Sequence, residues 1–305
     1  MTMLVFATSD KGGTGRSVTS CNMAYQRALQ GSDVCYVDFD FGSPTAGAVF
    51  QVTDVERGTS DGGLHSYLQG RITEPDRVDI WSTTDRQNLV DDFASPGKFM
   101  LYPGDKSGGE FAASPEAVRR CTELFVRLEE EFEISLIDLS AGRSHAIDMA
   151  LEATAQAGLR KTTARWMVFH RWTRQHIIAA HGLVFGDHGI LRTGVAYGHK
   201  EDDLRDAVRF VRTATLDLDS PNLNLRDPQI AWLETCDQGL RAEAARKSLG
   251  SSTLLGHTPL DPVLQWREQL ISKDDVFKKI ANEETLAAFE DLARKLTEDR
   301  AWEGL

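Results

Sequence analysis

Residues 4–17, Leu4-Val5-Phe6-Ala7-Thr8-Ser9-Asp10-Lys11-Gly12-Gly13-Thr14-Gly15-Arg16-Ser17, decide the fold. A short apolar run of strand length delivers the chain to a turn with three glycines, and helix-forming residues follow. Glycines there open backbone dihedrals closed to other residues, so successive N–H groups can turn into one concavity and hold an anion. A helix starting near Ser17 brings its positive end to the same spot. An ordinary glycine-rich strand-to-helix turn shares this outline. Two features favour phosphate: the pair Arg16-Ser17, a hydroxyl directly after a cation, and Lys11, a second cation just before the glycines.

The rest of the chain sets bounds on that reading. With 305 residues there is enough chain to bury a sizeable core, and 41% hydrophobic with 26% charged residues is ordinary for a globular protein. The net charge of −12 works against unspecific adhesion to nucleic acid or anionic lipid over the surface as a whole. Cys21, Cys35, Cys121 and Cys236 lie far apart with no CxxC pair, so they read as reduced thiols rather than a metal site or disulfide framework. The start of the chain lacks the basic region and apolar core of a secretory signal, and no stretch approaches the ~20 apolar residues that span a bilayer. A cytoplasmic protein is expected.

Strands and helices alternate downstream. A helix is expected over 17–30, then a buried strand over 34–37 that closes on Asp38-Phe39-Asp40. Carboxylates at the carboxyl end of such a strand sit where ligands bind in α/β sheets, although an Asp there also caps the next helix. A short helix over 62–70 and a strand over 98–104 follow, with 71–96 left unassigned. Helical spacing of Ala117, Cys121, Leu124, Phe125 and Leu128 marks an amphipathic helix over 114–133. Next, Ile134-Ser135-Leu136-Ile137 runs into Asp138, the pattern of an apolar strand closing on a metal-holding carboxylate.

DKGGTGRS resembles the deviant Walker A motif of the ParA/MinD family of P-loop ATPases, within the SIMIBI class, in a variant with Arg16 where that family has its second lysine. Asp38/Asp40, Asp138 and the segment Leu255-Gly256-His257-Thr258-Pro259-Leu260-Asp261 then stand in family order at family-like distances. The resemblance implies a three-layer αβα fold with a mostly parallel sheet, one domain over 1–305 with an insert at 187–227. It also implies a site for ATP and Mg²⁺. Gly12, Gly13, Thr14, Gly15, Arg16, Ser17 and Val18 would bind the phosphates, and Pro259 and Asp261 would lie against the base. Ser17, Asp38 and Asp138 would serve the magnesium, and Asp40 would position the attacking water, with Lys11 and Arg16 on the phosphates. In the family the first lysine reaches a second subunit, so Lys11 implies an ATP-bridged homodimer acting on a protein partner.

Two departures bear on catalysis. Arg16 is planar and bulkier than lysine, and Val18 lacks the hydroxyl usual beside Ser17. Binding, which leans on the backbone, should therefore survive better than hydrolysis, and a non-hydrolysing nucleotide-bound scaffold stands as the alternative.

Three further segments carry expectations. Residues 153–186 hold no Asp or Glu, and Arg160, Lys161, Arg165, Arg171 and Arg174 interleave there with Trp166, Phe169 and Trp172. Such a stretch can bind DNA. A buried strand over 166–169 followed by a cationic helix face is the favoured reading, because nothing in the sequence places these side chains on one face. Beyond it, 202–215 reads as a helix, 217–227 as a polar loop, 229–233 as a strand and 238–248 as a helix. A strand over 252–255 and a terminal helix over 283–296, with a largely acidic polar face unlike a lipid-binding tail, complete the chain.

Overall fold

The computed structural model describes residues 2–89, 95–106, 108–216 and 225–303. Eight strands form one sheet in the order β3-β4-β2-β5-β1-β6-β7-β8. They are β1 (Met3–Thr8), β2 (Val34–Phe39), β3 (Val78–Asp79), β4 (Phe99–Tyr102), β5 (Ile134–Leu139), β6 (Thr163–Arg171), β7 (Val208–Thr215) and β8 (Leu254–Pro259). All neighbours run parallel except β3, which is antiparallel to β4. Every residue of β1, β2 and β5 is buried. Near-continuous apolar strands are what a parallel sheet needs when helices cover both its faces.

Alternation along these strands divides the core. Leu4, Phe6, Val37, Phe39, Ile137 and Leu139 face α3 (Pro115–Glu131), α4 (His145–Thr154) and α5 (Arg174–Phe185), whose apolar residues join the same cluster. Met3, Val5, Ala7, Val34, Tyr36 and Leu136 face α1 (Arg16–Leu29) and α10 (Glu283–Lys295). The result is the α/β three-layer fold expected from the loop and its strands. The short helix α2 (Leu64–Leu68) stands within the expected 62–70, and Ser114 caps α3 by accepting from the Ala117 N–H at 3.2 Å.

Two expected elements change type. Residues 208–215 belong to β7, not to a helix over 202–215; only α7 (Glu201–Asp206) is helical there, preceded by α6 (Ile190–Tyr197). Val208 and Phe210 reach one core cluster and Val211 the other, so β-branched and aromatic residues at alternate positions outweigh the interleaved arginines. Because β7 lies between β6 and β8, the segment 187–227 contributes a strand to the sheet. Of the polar loop expected over 217–227, residues 217–224 lie outside the described residues. Residues 229–233 likewise form no strand: they sit in α8 (Asp227–Arg246), in which Ala244 is the buried residue. A four-residue apolar run, 230–233, is ambiguous in period, and here its Trp232 is 66% exposed.

The basic stretch 160–174 is dispersed. Arg160 and Lys161 are exposed at the amino end of β6, while Arg171 and Arg174 lie at its carboxyl end, nine strand residues away, about 25–30 Å. Arg165, Trp166 and Phe169 between them are buried.

Candidate functional site

At the carboxyl end of β1 the chain turns through residues 9–15 into α1. Gly13 and Gly15 adopt φ of 69° and 74°, in the left-handed region that side chains disfavour. A Cβ on Gly12 or Gly13 would meet nothing within 4 Å. At Gly13 backbone conformation, not crowding, therefore requires glycine, at Gly12 neither does, and the concavity is open. Gly15 is the N-cap of α1 and has no side chain to satisfy the first amides, which leaves them for an anion. The Ser9 hydroxyl donates to the Lys11 carbonyl at 3.0 Å, and the Thr213 hydroxyl donates to the Thr14 carbonyl, fixing the loop from both sides. Lys11 itself is exposed, whereas Thr14 is buried.

Parallel pairing of β2 with β5 sets Asp38 opposite Asp138 in register. Both carboxyls consequently leave the same face of the sheet, the face covered by α1. Arg16, the first residue of α1, reaches into them: its Nε donates to Asp138 Oδ1 and its Nη2 donates to Asp40 Oδ2 at 2.7 Å. The side chains of Arg16, Asp138 and Asp40 are 6%, 2% and 22% exposed. The Tyr36 hydroxyl donates to the other Asp138 oxygen at 2.8 Å and lies 2.9 Å from the Ser20 hydroxyl. Asp38 accepts from the backbone N–H groups of Ala46 at 3.0 Å and Asp40 at 3.4 Å, the turn-capping arrangement. The Ser140 hydroxyl accepts from the Phe41 N–H at 2.9 Å and so ties the loops after β2 and β5 together.

The electrostatics follow from this packing. Burial lowers the Arg16 pKa, but Asp138 and Asp40 raise it more, so the guanidinium stays charged and ends above its ordinary value. Burial raises Asp138, with Arg16, Ser17 and Tyr36 opposing. Burial and then the neighbouring Asp138 push Asp38 well above the carboxylate range, which favours its neutral form.

A cavity of about 230 Å³ opens beside the loop, lined by Gly13, Thr14, Gly15 and Val18 on one wall and by Thr258, Pro259 and Asp261 on the other. Pro259 ends β8, and Asp261 is buried below it. The Asp261 carboxylate accepts from the Val263 N–H at 3.0 Å, the Asn282 N–H at 2.9 Å and the Thr285 hydroxyl at 2.7 Å. It caps α9 (Pro262–Trp266) and the turn into α10 while forming part of the wall. Arg171, from the end of β6, lines this cavity and a larger one of about 1060 Å³ between the amino end of α5 and α8. Thus the structure brings together Lys11 to Val18, Asp38, Asp40 and Asp138 around the loop, with Pro259 and Asp261 across the cavity.

The donors expected for magnesium do not fit the ion as they are placed. Each Asp138 oxygen accepts from Arg16 or Tyr36, each Asp38 oxygen from a backbone amide, and the Ser17 hydroxyl lies 3.4 Å from Arg16 Nη2. Magnesium demands near-octahedral oxygen ligands, which a seated guanidinium excludes.

Three participants escape the sequence reading. Tyr36 shares the face of Asp38 by strand alternation, and a polar-tipped aromatic two residues before a carboxylate was the available signal. Thr213 and Arg171 arrive from β7 and β6. Thr213 was hidden by the helical reading of its segment.

No protein-family model matches the chain. Over 155 residues it is 28% identical to the septum site-determining protein MinD of Bacillus subtilis, a match that spans half of this chain and half of that protein's length. Among solved structures it is similar to MinD in the MinC:MinD cell division complex of Aquifex aeolicus, with a TM-score of 0.60 and 14% identity over 96% of this chain and 95% of that one. It is also similar to a putative plasmid partition protein of Borrelia burgdorferi bound to AMPPNP, with a TM-score of 0.60 and 12% identity over 97% and 98% of the two chains.

Proposed function

We propose that this chain, a ParA/MinD-like P-loop protein by sequence and fold, is a nucleotide-dependent molecular switch that binds ATP at the loop 11–18, dimerises across it and presents a surface to a protein partner. The observation that carries the reading is the loop itself: left-handed Gly13 and Gly15, the free first turn of α1 and the adjoining cavity under Pro259. Loop amides would hold the phosphates, and the cavity would take the base. Lys11 is exposed on the rim, where a second copy can meet it. A solved relative in fold with AMPPNP, and another with MinC, support the ligand class and the partner-binding mode. Residues 1–305 are read as one domain, in a cytoplasmic setting. Among the described residues no helix is long and apolar enough to cross a membrane.

Slow turnover or none accompanies this reading. Asp40, the residue expected to position water, has one oxygen engaged by Arg16, which competes with its orienting a nucleophile. A non-hydrolysing scaffold is therefore the second reading, and the same contact favours it. A DNA-associated role draws no support from 160–174, whose cations lie at opposite ends of β6.

Equilibrium binding of ATP and ADP to the full chain, with the mass of each complex measured in solution, tests the switch. ATP is expected to bind and to shift the chain to a dimer that ADP does not support. Failure to bind any adenine nucleotide, with or without magnesium, ends the reading. Turnover by the wild type that Asp40→Ala abolishes would sink the scaffold alternative.

A further inference from the structure

The position between Asp40 and Asp138 already holds a cation, and the chain supplies it. Arg16 Nε donates to Asp138, Arg16 Nη2 donates to Asp40 at 2.7 Å, and the guanidinium is almost fully enclosed. The arrangement is supported from behind. Tyr36 occupies the second oxygen of Asp138 at 2.8 Å, and Ser20 lies 2.9 Å from the Tyr36 hydroxyl. Ser17, the hydroxyl expected to ligate a metal, lies 3.4 Å from the same guanidinium nitrogen.

A divalent ion seated on Ser17 and Asp138 would first have to break the Arg16–Asp138 pair inside a site with little access to water. That leaves a buried guanidinium short of one partner, an expensive exchange. Lysine in the same place would behave differently. Its ammonium is a compact charge whose donors all sit on one nitrogen, whereas the guanidinium donates from two nitrogens of one rigid plane, Nε to Asp138 and Nη2 to Asp40.

We infer that Arg16 is the built-in counter-cation of the Asp40–Asp138 pair, and that the chain binds ATP without a divalent metal ion. The inference rests on the nucleotide-binding reading above. Phosphate charge is met instead by the loop amides and by Lys11 on the rim.

Equilibrium dialysis of the full chain with radiolabelled ATP, in saturating magnesium chloride and in excess EDTA, tests it. The wild-type dissociation constant is expected to change by less than about fivefold between the two buffers, whereas that of Arg16→Lys should tighten by more than about tenfold when magnesium is present. A wild-type change above about fivefold overturns the inference, and so does an Arg16→Lys chain as indifferent to magnesium as the wild type. If the wild type binds ATP in neither buffer, the nucleotide reading is what fails. The counter-cation claim then stands or falls on Mn²⁺ titration of the nucleotide-free wild type, followed by the resonance of free Mn²⁺: no uptake sustains it, and stoichiometric uptake removed by Asp138→Asn refutes it.

Discussion

At the carboxyl ends of β2 and β5 one buried arginine meets two carboxylates; at the amino ends of β6 and β7 two buried arginines meet mostly backbone. Arg209 donates to the carbonyls of Ala301 at 2.8 Å, Asp206 at 2.9 Å, Val208 at 2.8 Å and Glu303 at 2.9 Å. Arg165 donates to the Leu296 carbonyl and pairs with the exposed Asp299 at 2.8 Å, and both guanidiniums lie over the Trp302 ring, at 4.9 and 5.7 Å. Carbonyls cannot ionise, so Arg165 and Arg209 fasten the C-terminal segment to the sheet. Arg16, by contrast, balances charge. The same residue type, buried to a similar degree, is structural at one end and electrostatic at the other.

The largest test of this contrast is Arg16→Met. Removing one partner of a buried ionic group strands the others, so unfolding free energy is expected to fall by about 3–5 kcal/mol in urea titration. Adding Asp138→Asn to that variant should restore a good part of it. Equal stability of single and double variants would break the comparison.

An intermediate effect is expected from acid. His170, on the buried part of β6, is depressed to about 4 by burial first, with Arg212 and His176 adding to it and the Arg171 carbonyl opposing. The unfolded chain titrates near the ordinary histidine value of about 6.5 and so binds more protons in between. Stability is thus complete above about pH 6.5 and falls as pH drops toward 4, by about 3 kcal/mol from this residue. His170→Gln should flatten that limb when urea midpoints are taken against pH, and an unchanged slope would assign the acid sensitivity elsewhere.

The smallest is Arg209→Met, with an expected loss of about 1–3 kcal/mol from carbonyls left without donors. ATP affinity should not move, because the cavity beside the loop lies at the other end of the strands. A change in ATP affinity on Arg209→Met would erase the distinction between the two ends.

Legibility in the sequence followed how local each signal is. The loop, the strand ending in Asp138 and α3 could be read because their residues carry both conformation and pattern within a few positions: glycines for φ, apolar runs for buried strands, helical spacing for α3. Segments whose pattern is set by tertiary neighbours could not. β7 looks helical because arginines interrupt it, and those arginines are placed by partners at the chain's end and by Trp172, over whose ring Arg212 sits at 3.9 Å. Within the site, the residue types around the glycine loop were visible, but their connections were not. Asp38 could be read as a capping residue or as a ligand group and Asp261 as a ligand group, and each carboxylate is hydrogen-bonded to turn or helix-start amides. Arg16 read as a flawed lysine because one sequence cannot show that two carboxylates 24 and 122 positions away converge on it.

The strand order carries one more consequence. β1 and β2, joined through α1, are not neighbours in the sheet, because β5 enters between them. The early part of the chain can therefore form its loop and first helix, yet Asp138 reaches Arg16 only after a strand more than a hundred residues later has intercalated. Contacts of such sequence separation form slowly. Closure of the Arg16–Asp138 pair thus reports that the centre of the sheet is complete, and a truncated or half-synthesised chain would carry the glycine loop without the charge balance that goes with it.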